Sequence, residues 1–124
     1  MIASAAHLER GRAAEARAAT YLQAQGLTIL TRNYRVAGGE IDLIARHGAE
    51  LVFVEVRSRR SAAFRSAAET VTAAKRRRIL LAAQHYLTGL PQRALPPCRC
   101  DVISITGAVD DAPLHWLQNA FTLD

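Results

Sequence analysis

The sequence predicts an α/β or α+β domain in which one sheet is flanked by helices, and three observations predict it. Its periodic segments run in the order helix, three strands, helix, two strands. The two helical segments repeat apolar residues at spacings of three and four and stop at glycine or proline. The strand-like runs are short and are parted by turns that carry glycine.

From about Ala5 to Gln25, strong helix formers carry Leu8, Ala14, Ala18, Tyr21 and Leu22 on one side, with Gly26 at the stop position. Leu27 to Val36 reads as a strand with a polar interruption at Thr31, Arg32 and Asn33, and Gly38-Gly39 makes the next turn. Glu40 to Arg46 and Glu50 to Ser58 form a hairpin about His47-Gly48-Ala49. Arg59 to Ser66, polar and basic, is a loop. A second helix from about Ala67 to Thr88 puts Val71, Ala74, Ile79, Ala82, Ala83 and Tyr86 on its apolar side and ends at Gly89 and Pro91. Leu90 to Pro97, with three prolines, is a connection. Asp101 to Thr106 is a fourth strand, Gly107 to Pro113 a turn, and Leu114 to Phe121 a short final strand. Parallel pairing after the second helix requires a right-handed crossover.

A chain of 124 residues suits one domain and is too short for two cores. Half of its residues are hydrophobic and 22% are charged, which excludes a disordered tail. Sixteen basic residues against 11 acidic ones give a net charge of +5, which points to an anionic partner, nucleic acid before an acidic membrane surface. Met1 to Arg10 has no apolar run of signal-peptide length and nothing approaches a membrane span, so the expected location is cytoplasmic, with no membrane. Cys98 and Cys100 are too close for an easy disulfide, and His7, His47, His85 and His115 lack zinc-site spacing. They read as two ordinary thiols before a strand, in a reducing compartment.

The chemistry gathers in the hairpin, where Glu40, Asp42 and Glu55 interrupt apolar strands that usually exclude acids. Alternation puts Glu40 and Asp42 on one face and Ile41 and Leu43 on the other. In the second strand Leu51, Phe53, Glu55 and Arg57 share a face opposite Val52, Val54 and Val56. A register with Asp42 across from Glu55 also sets Glu40 across from Arg57. Two carboxylates about 5 Å apart repel by roughly 3 kcal/mol at an effective dielectric of 20. A divalent cation such as Mg²⁺ or Mn²⁺, or a nearby arginine such as Arg57, would offset that cost. The alternative is a pair of edge strands charged against aggregation.

Five segments in order, "GRAAEARAATYLQAQGLTILTRNYR", "GGEIDLIA", "LVFVEVRSR", "VTAAKRRRI" and "NAF", resemble the YraN-like family of uncharacterised bacterial proteins. The likeness covers about Gly11 to Phe121. That family is similar to archaeal Holliday-junction resolvases and to the restriction-endonuclease-like PD-(D/E)xK superfamily. The resemblance implies a restriction-endonuclease-like αβββαβ core, a mixed sheet flanked by helices, and metal-dependent hydrolysis of phosphodiesters. It assigns Glu15 to the first-helix acid, Asp42 to the metal-binding aspartate and Glu55 to the glutamate of the D/E-x-K pair, with Mg²⁺ or Mn²⁺ as cofactor. Arg57 stands where the pattern has lysine. An arginine supplies charge and a bidentate fork there but cannot serve as a base. The implied partner is nucleic acid, DNA ahead of RNA, and because such resolvases act as dimers a homodimer is allowed. A catalytically inactive nucleic-acid-binding or protein-interaction module on the same fold is the alternative.

Other residues carry two readings each. Glu15 borders the apolar stripe of its helix and can reach the sheet, or it faces solvent paired with Arg12 or Arg17. Glu40 is a further ligand or, preferably, the partner of Arg57. Lys75 lies between Val71 and Ile79 at helical spacing, so it reaches toward the acids or a phosphate, or lies over the apolar edge. Arg32, Arg35, Arg57, Arg59, Arg60 and Arg65, with Lys75, can line a groove for a phosphate backbone. Arginine exceeds lysine fifteen to one, which favours phosphate recognition or reflects genomic base bias. Tyr21, Phe53, Tyr86 and Trp116 read as packing residues, which leaves little support for stacking on single strands. An exposed final strand beside Trp116 would offer an edge for dimerisation.

Overall fold

Alternation along one strand decides where the helices lie. Leu51 and Phe53 pack in one apolar core and Val52 and Val54 in another, so the sheet separates two cores, one on each face. The computed structural model describes residues 5–60 and 71–123. Its elements are α1 (Ala5–Ala24), β1 (Thr28–Val36), β2 (Gly39–His47), β3 (Glu50–Arg59), α2 (Ala73–Thr88), β4 (Cys98–Thr106) and β5 (Leu114–Phe121), with a short 3-10 turn at Gln92–Ala94. The sheet runs in the order β1-β2-β3-β4-β5. Only β3 and β4 pair in parallel, the other neighbours being antiparallel. This is the mixed sheet flanked by helices, with the αβββαβ order, that the sequence predicts. No helix among the described residues is long and apolar enough to cross a membrane.

Small residues let α1 approach the sheet closely. Ala14, Ala18, Ala19 and Leu22 meet Leu43, Ala45, Val52, Val54, Ile103 and Ile105. On the opposite face Ile79, Ala82 and Ala83 of α2 meet Ile41, Ile44, Phe53 and Val102. Full burial of each large side chain stabilises by about 1.5–3 kcal/mol.

Four local readings need correction. Helix α2 begins at Ala73, with Val71 and Thr72 ahead of it. Thr72 caps the helix, its hydroxyl accepting the Lys75 N–H at 3.3 Å, a task that suits threonine better than a helical interior. Residues 67–70 and most of the predicted 59–66 loop lie outside the described residues. The second correction concerns Cys98 and Cys100, which lie within β4, because the parallel ladder with β3 already starts at Leu51 and Cys98. The third is the hairpin turn, which is the two residues Gly48 and Ala49, His47 still pairing with Glu50.

The fourth correction matters most for the site. Ile41 and Leu43 do not share a face: Ile41 packs in the α2 core and Leu43 in the α1 core. The polar interruption in β1 explains the swap. The β1–β2 register shifts between Ile29 and Thr31, and Asn33 sits in the left-handed region at φ 52°, between the pairs Arg32 with Leu43 and Tyr34 with Ile41. Asparagine tolerates that conformation better than most residues. Regular alternation therefore breaks opposite Asn33, at Asp42.

Candidate functional site

Close packing of a backbone sets one wall of the site. A β-carbon on Gly39 would lie 2.5 Å from the Arg78 carbonyl oxygen and 2.9 Å from the Ala82 nitrogen, so only glycine lets β2 start against α2. Two residues further on, Ile41 seals this contact in the α2 core, and Asp42 follows where the alternation breaks.

The hairpin register is the one that opposes Asp42 to Glu55, yet the regular pairing ends one step earlier, at Leu43 and Val54. Beyond it the Asp42 carboxylate takes the place of a strand carbonyl, its Oδ2 accepting the Val56 N–H at 2.8 Å. Burial pushes the Asp42 carboxyl up to about 8, the charge of Glu55 adding to the effect while the Val56 hydrogen bond and Lys75 oppose it.

Glu55 is held more firmly still. Its side chain is 8% exposed, and its Oε1 receives Lys75 Nζ at 2.9 Å and lies 3.7 Å from Arg57 Nη1. Lys75 is the only lysine of the chain, and it stands in the first turn of α2. That turn contains no acid, and Lys75 begins a run of four bases at the positive end of the helix dipole. Such a helix start is unfavourable by itself and favours anions. Glu55 answers Lys75, and Glu40 answers Arg78 at 3.5 Å. Arg76 donates to the Val71 carbonyl and lies over the Phe121 ring.

Glu40 therefore pairs with Arg78, and with Arg35 at 3.8 Å, instead of with Arg57 as expected. The parting of β2 from β3 past Asp42 separates Glu40 from the strand that carries Arg57.

Glu15 approaches from α1 and lines the same cleft. Burial raises its pKa, the Asn33 side-chain hydrogen bond and the Arg35 charge opposing, and the charges of Glu55 and Glu40 reinforcing. It does not pair with Arg17, whose NH1 donates to the carbonyls of Val109 at 2.7 Å and Ala112 at 2.6 Å. Glu15, Asp42, Glu55, Arg57, Arg60 and Lys75 thus meet in one cleft of about 560 Å³ that Arg10 also lines, and among the described residues its lining holds no aromatic side chain. Arg32 lies in an adjoining hollow with Arg12, Glu15 and Asn33. Arg59 is not part of the cleft wall, and its carbonyl accepts from Arg10 and from the Gly107 N–H. Arg65 lies outside the described residues.

A family model described as "Uncharacterised protein family UPF0102" matches residues 14–105. The chain belongs to UPF0102. It is 51% identical over 120 residues to a UPF0102 protein of Saccharophagus degradans, covering 97% of this chain and 98% of the relative. A UPF0102 protein of Dechloromonas aromatica is 51% identical over 115 residues, covering 93% and 90% of the two chains. A third, from Xanthomonas campestris pv. campestris, is 46% identical over 120 residues, covering 97% of each. The YraN-like motifs of the sequence resemble this same family.

Glu15, Asp42, Glu55 and Lys75 all fall within the UPF0102 match. Among the described residues no three His, Cys, Asp or Glu side chains lie close enough to hold a metal ion as they stand. The donor chemistry nonetheless suits a hard divalent cation: Asp42 and Glu55 are neighbouring carboxylates, and Mg²⁺ takes one or two carboxylates and keeps its other positions for water and phosphate. Lys75 and Arg57 supply the positive charge at Glu55 in this structure.

Sequence reasoning missed two features of this UPF0102 chain. Arg10 and Arg17 tie α1 to the β4–β5 connection through the carbonyls of Gly107, Val109 and Ala112. Their seven-residue spacing around Ala14 was the available signal. The second feature is Asp101, fully buried, which accepts from Arg99 Nε at 3.0 Å, Trp116 Nε1 at 2.9 Å and the Asn119 N–H at 2.9 Å. Arg99 reaches on to Glu50 and His47. Asp101 fills the shift in the β4–β5 ladder between Cys100 and Val102, much as Asp42 fills the end of the β2–β3 ladder. Its bonds to Arg99, Trp116 and Asn119 make it a structural acid.

Proposed function

We propose that this UPF0102 protein is a nucleic-acid-binding protein of restriction-endonuclease-like fold, and that its cleft hydrolyses phosphodiester bonds as a Mg²⁺- or Mn²⁺-dependent, structure-selective nuclease. The observation that carries the reading is the meeting of Asp42, Glu55 and Lys75, from two strands and a helix, in one arginine-rimmed cleft. Asp42 and Glu55, with Glu15 on the facing wall, would hold the divalent ion. Bound there, it supplies a Lewis acid that activates water and neutralises phosphate charge.

The chain's own groups do the rest. Lys75 comes from α2 to the glutamate that Arg57 follows by two residues, so the ammonium missing from the strand is provided by the helix. Lys75 and Arg57 face charge developing on a phosphate, and Lys75, unlike Arg57, has a proton it can exchange. Arg10, Arg60 and the α2 bases favour a polyanionic backbone. The preference for DNA rests on the resemblance to junction resolvases. Free Cys98 and Cys100 fit a cytoplasmic protein.

One observation favours a second reading, a binding module without chemistry: Arg57 stands where the pattern has a strand lysine. Purified protein incubated with branched and linear DNA and RNA, with and without Mn²⁺, separates the two. The nuclease reading expects Mn²⁺-dependent cleavage of branched DNA that Asp42→Ala abolishes. Salt-sensitive binding with no cleavage establishes the second reading, and equal cleavage by Asp42→Ala refutes the first.

A further inference from the structure

Two cations bear on one oxygen at the heart of the cleft, Lys75 Nζ at 2.9 Å and Arg57 Nη1 at 3.7 Å from Glu55 Oε1. A divalent ion drawn to Asp42 and Glu55 has to enter against that charge, in a setting where like charges a few ångströms apart repel strongly. Arg57 is the less mobile of the two, being 27% exposed and fixed to β3. Lys75 is freer: its side chain is 40% exposed, its stem is flexible, and it rises from the first turn of α2 outside the apolar cluster formed by Ile79, Ala82 and Ala83. It can leave Glu55 without disturbing the core. A phosphate entering the cleft is an anion that can receive it, and the helix start from which it projects favours that anion.

Resting on the nuclease reading, we propose that Lys75 is a positioning residue that occupies Glu55 until nucleic acid arrives and then transfers to the incoming phosphate, so that metal and substrate bind cooperatively. The ion is held weakly by the protein alone and tightly by the protein with its substrate. Because coupling between two ligands is reciprocal, the ion strengthens nucleic-acid binding by the same factor.

The test measures free Mn²⁺ by its paramagnetic resonance signal, in titrations of the full chain with and without a phosphorothioate DNA duplex, which keeps its charge and resists hydrolysis. Ion bound by the duplex alone is subtracted. Wild type is expected to bind Mn²⁺ at least about tenfold more tightly with the duplex than without it. Lys75→Met, its fold checked by circular dichroism, is expected to bind Mn²⁺ more tightly than wild type in the absence of duplex and to lose most of the further gain. Lys75→Gln replaces it if the methionine perturbs folding. Arg93→Met removes a charge that is not part of the cleft lining, and it is expected to keep the wild-type coupling. Because Lys75 is the chain's only lysine, nitrogen-labelled lysine gives one side-chain signal, expected to shift with Mg²⁺ plus duplex and to stay in place with Mg²⁺ alone.

Equal Mn²⁺ affinity of wild type and Lys75→Met without duplex, or full coupling kept in Lys75→Met, overturns the inference and leaves the nuclease reading standing. Absence of Mn²⁺ binding by wild type under both conditions overturns the metal-dependent reading and this inference with it.

Discussion

Asp42 Oδ2 accepts the Val56 N–H at 2.8 Å, one step past the last regular pair of the β2–β3 ladder. A side chain thereby completes the strand pairing and places a carboxylate beside Glu55. The arrangement combines a structural hydrogen bond with a poorly solvated charge, and the two parts separate experimentally.

Replacing Asp42 by Asn keeps an oxygen acceptor for Val56 and removes the charge. In the folded protein the Asp42 carboxyl is pushed up to about 8 from an ordinary 3.8, so the native state binds its proton more tightly than the unfolded chain. Its contribution to stability is greatest below the ordinary value, is lost progressively as pH rises toward 8, and is fully lost above that. Asp42→Asn has no such dependence. It is expected to be more stable than wild type by about 1–3 kcal/mol at alkaline pH, with the gap closing as pH falls toward 4. Urea unfolding across that range checks it, and a variant less stable than wild type at alkaline pH contradicts the assigned burial of charge.

The Lys75–Glu55 pair is half open to solvent on the lysine side, which limits what it adds to stability. A double-mutant cycle with Lys75→Met and Glu55→Gln is expected to give a coupling of about 1 kcal/mol in urea unfolding. Lys75→Met is expected to be the more costly single change, because among the described residues it leaves a nearly buried carboxylate with the longer contact to Arg57 alone. A coupling near zero would mean that the short contact contributes nothing to the fold.

Gly39 sets the spacing between β2 and α2. Gly39→Ala forces a methyl against the Arg78 carbonyl and the Ala82 nitrogen, and it is expected to cost about 1–3 kcal/mol as α2 is pushed outward. Gly11→Ala is the control: nothing lies within 4 Å of its added carbon and it sits inside α1, so it should gain about 0.5–1 kcal/mol. Thermal unfolding of the two variants reads both effects.

Much of this was legible in the sequence because period and chemistry agreed. The alternation of Leu51 to Arg57 indicated which β3 residues face α2, and the register that sets Asp42 across from Glu55 holds as far as the pair of Leu43 with Val54, although the turn has two residues and not three. What stayed hidden arose where one segment answers to a distant one. The break opposite the left-handed Asn33 of β1 puts Ile41 and Leu43 of β2 on opposite faces, an effect that a period-two reading of β2 cannot contain. The roles of Arg10 and Arg17 stayed hidden because the carbonyls of Gly107, Val109 and Ala112 lie more than ninety residues further along the chain. Asp101, in "DVISIT", reads only as the first residue of a strand, since its partners Trp116 and Asn119 come from the next one. Lys75 could be aimed at the acids from helical spacing, but not distinguished from a side chain lying over the apolar edge.

Nucleic-acid binding offers a test that does not depend on chemistry. If a phosphate backbone runs through the cleft, each arginine in contact with it releases a counterion, and the slope of log affinity against log salt falls by about 0.9 for each contact removed on duplex DNA. Arg60 lines the cleft, whereas Arg93 sits on the Gln92–Ala94 turn and is not part of its lining. Arg60→Ala is therefore expected to weaken duplex binding and to lower the slope by about one, equally for different sequences, because a phosphate contact carries no base information. Arg93→Ala should leave both unchanged. Fluorescence anisotropy of a labelled duplex between low and moderate salt measures the slopes, and identical slopes for wild type and Arg60→Ala would remove the cleft from the path of the backbone.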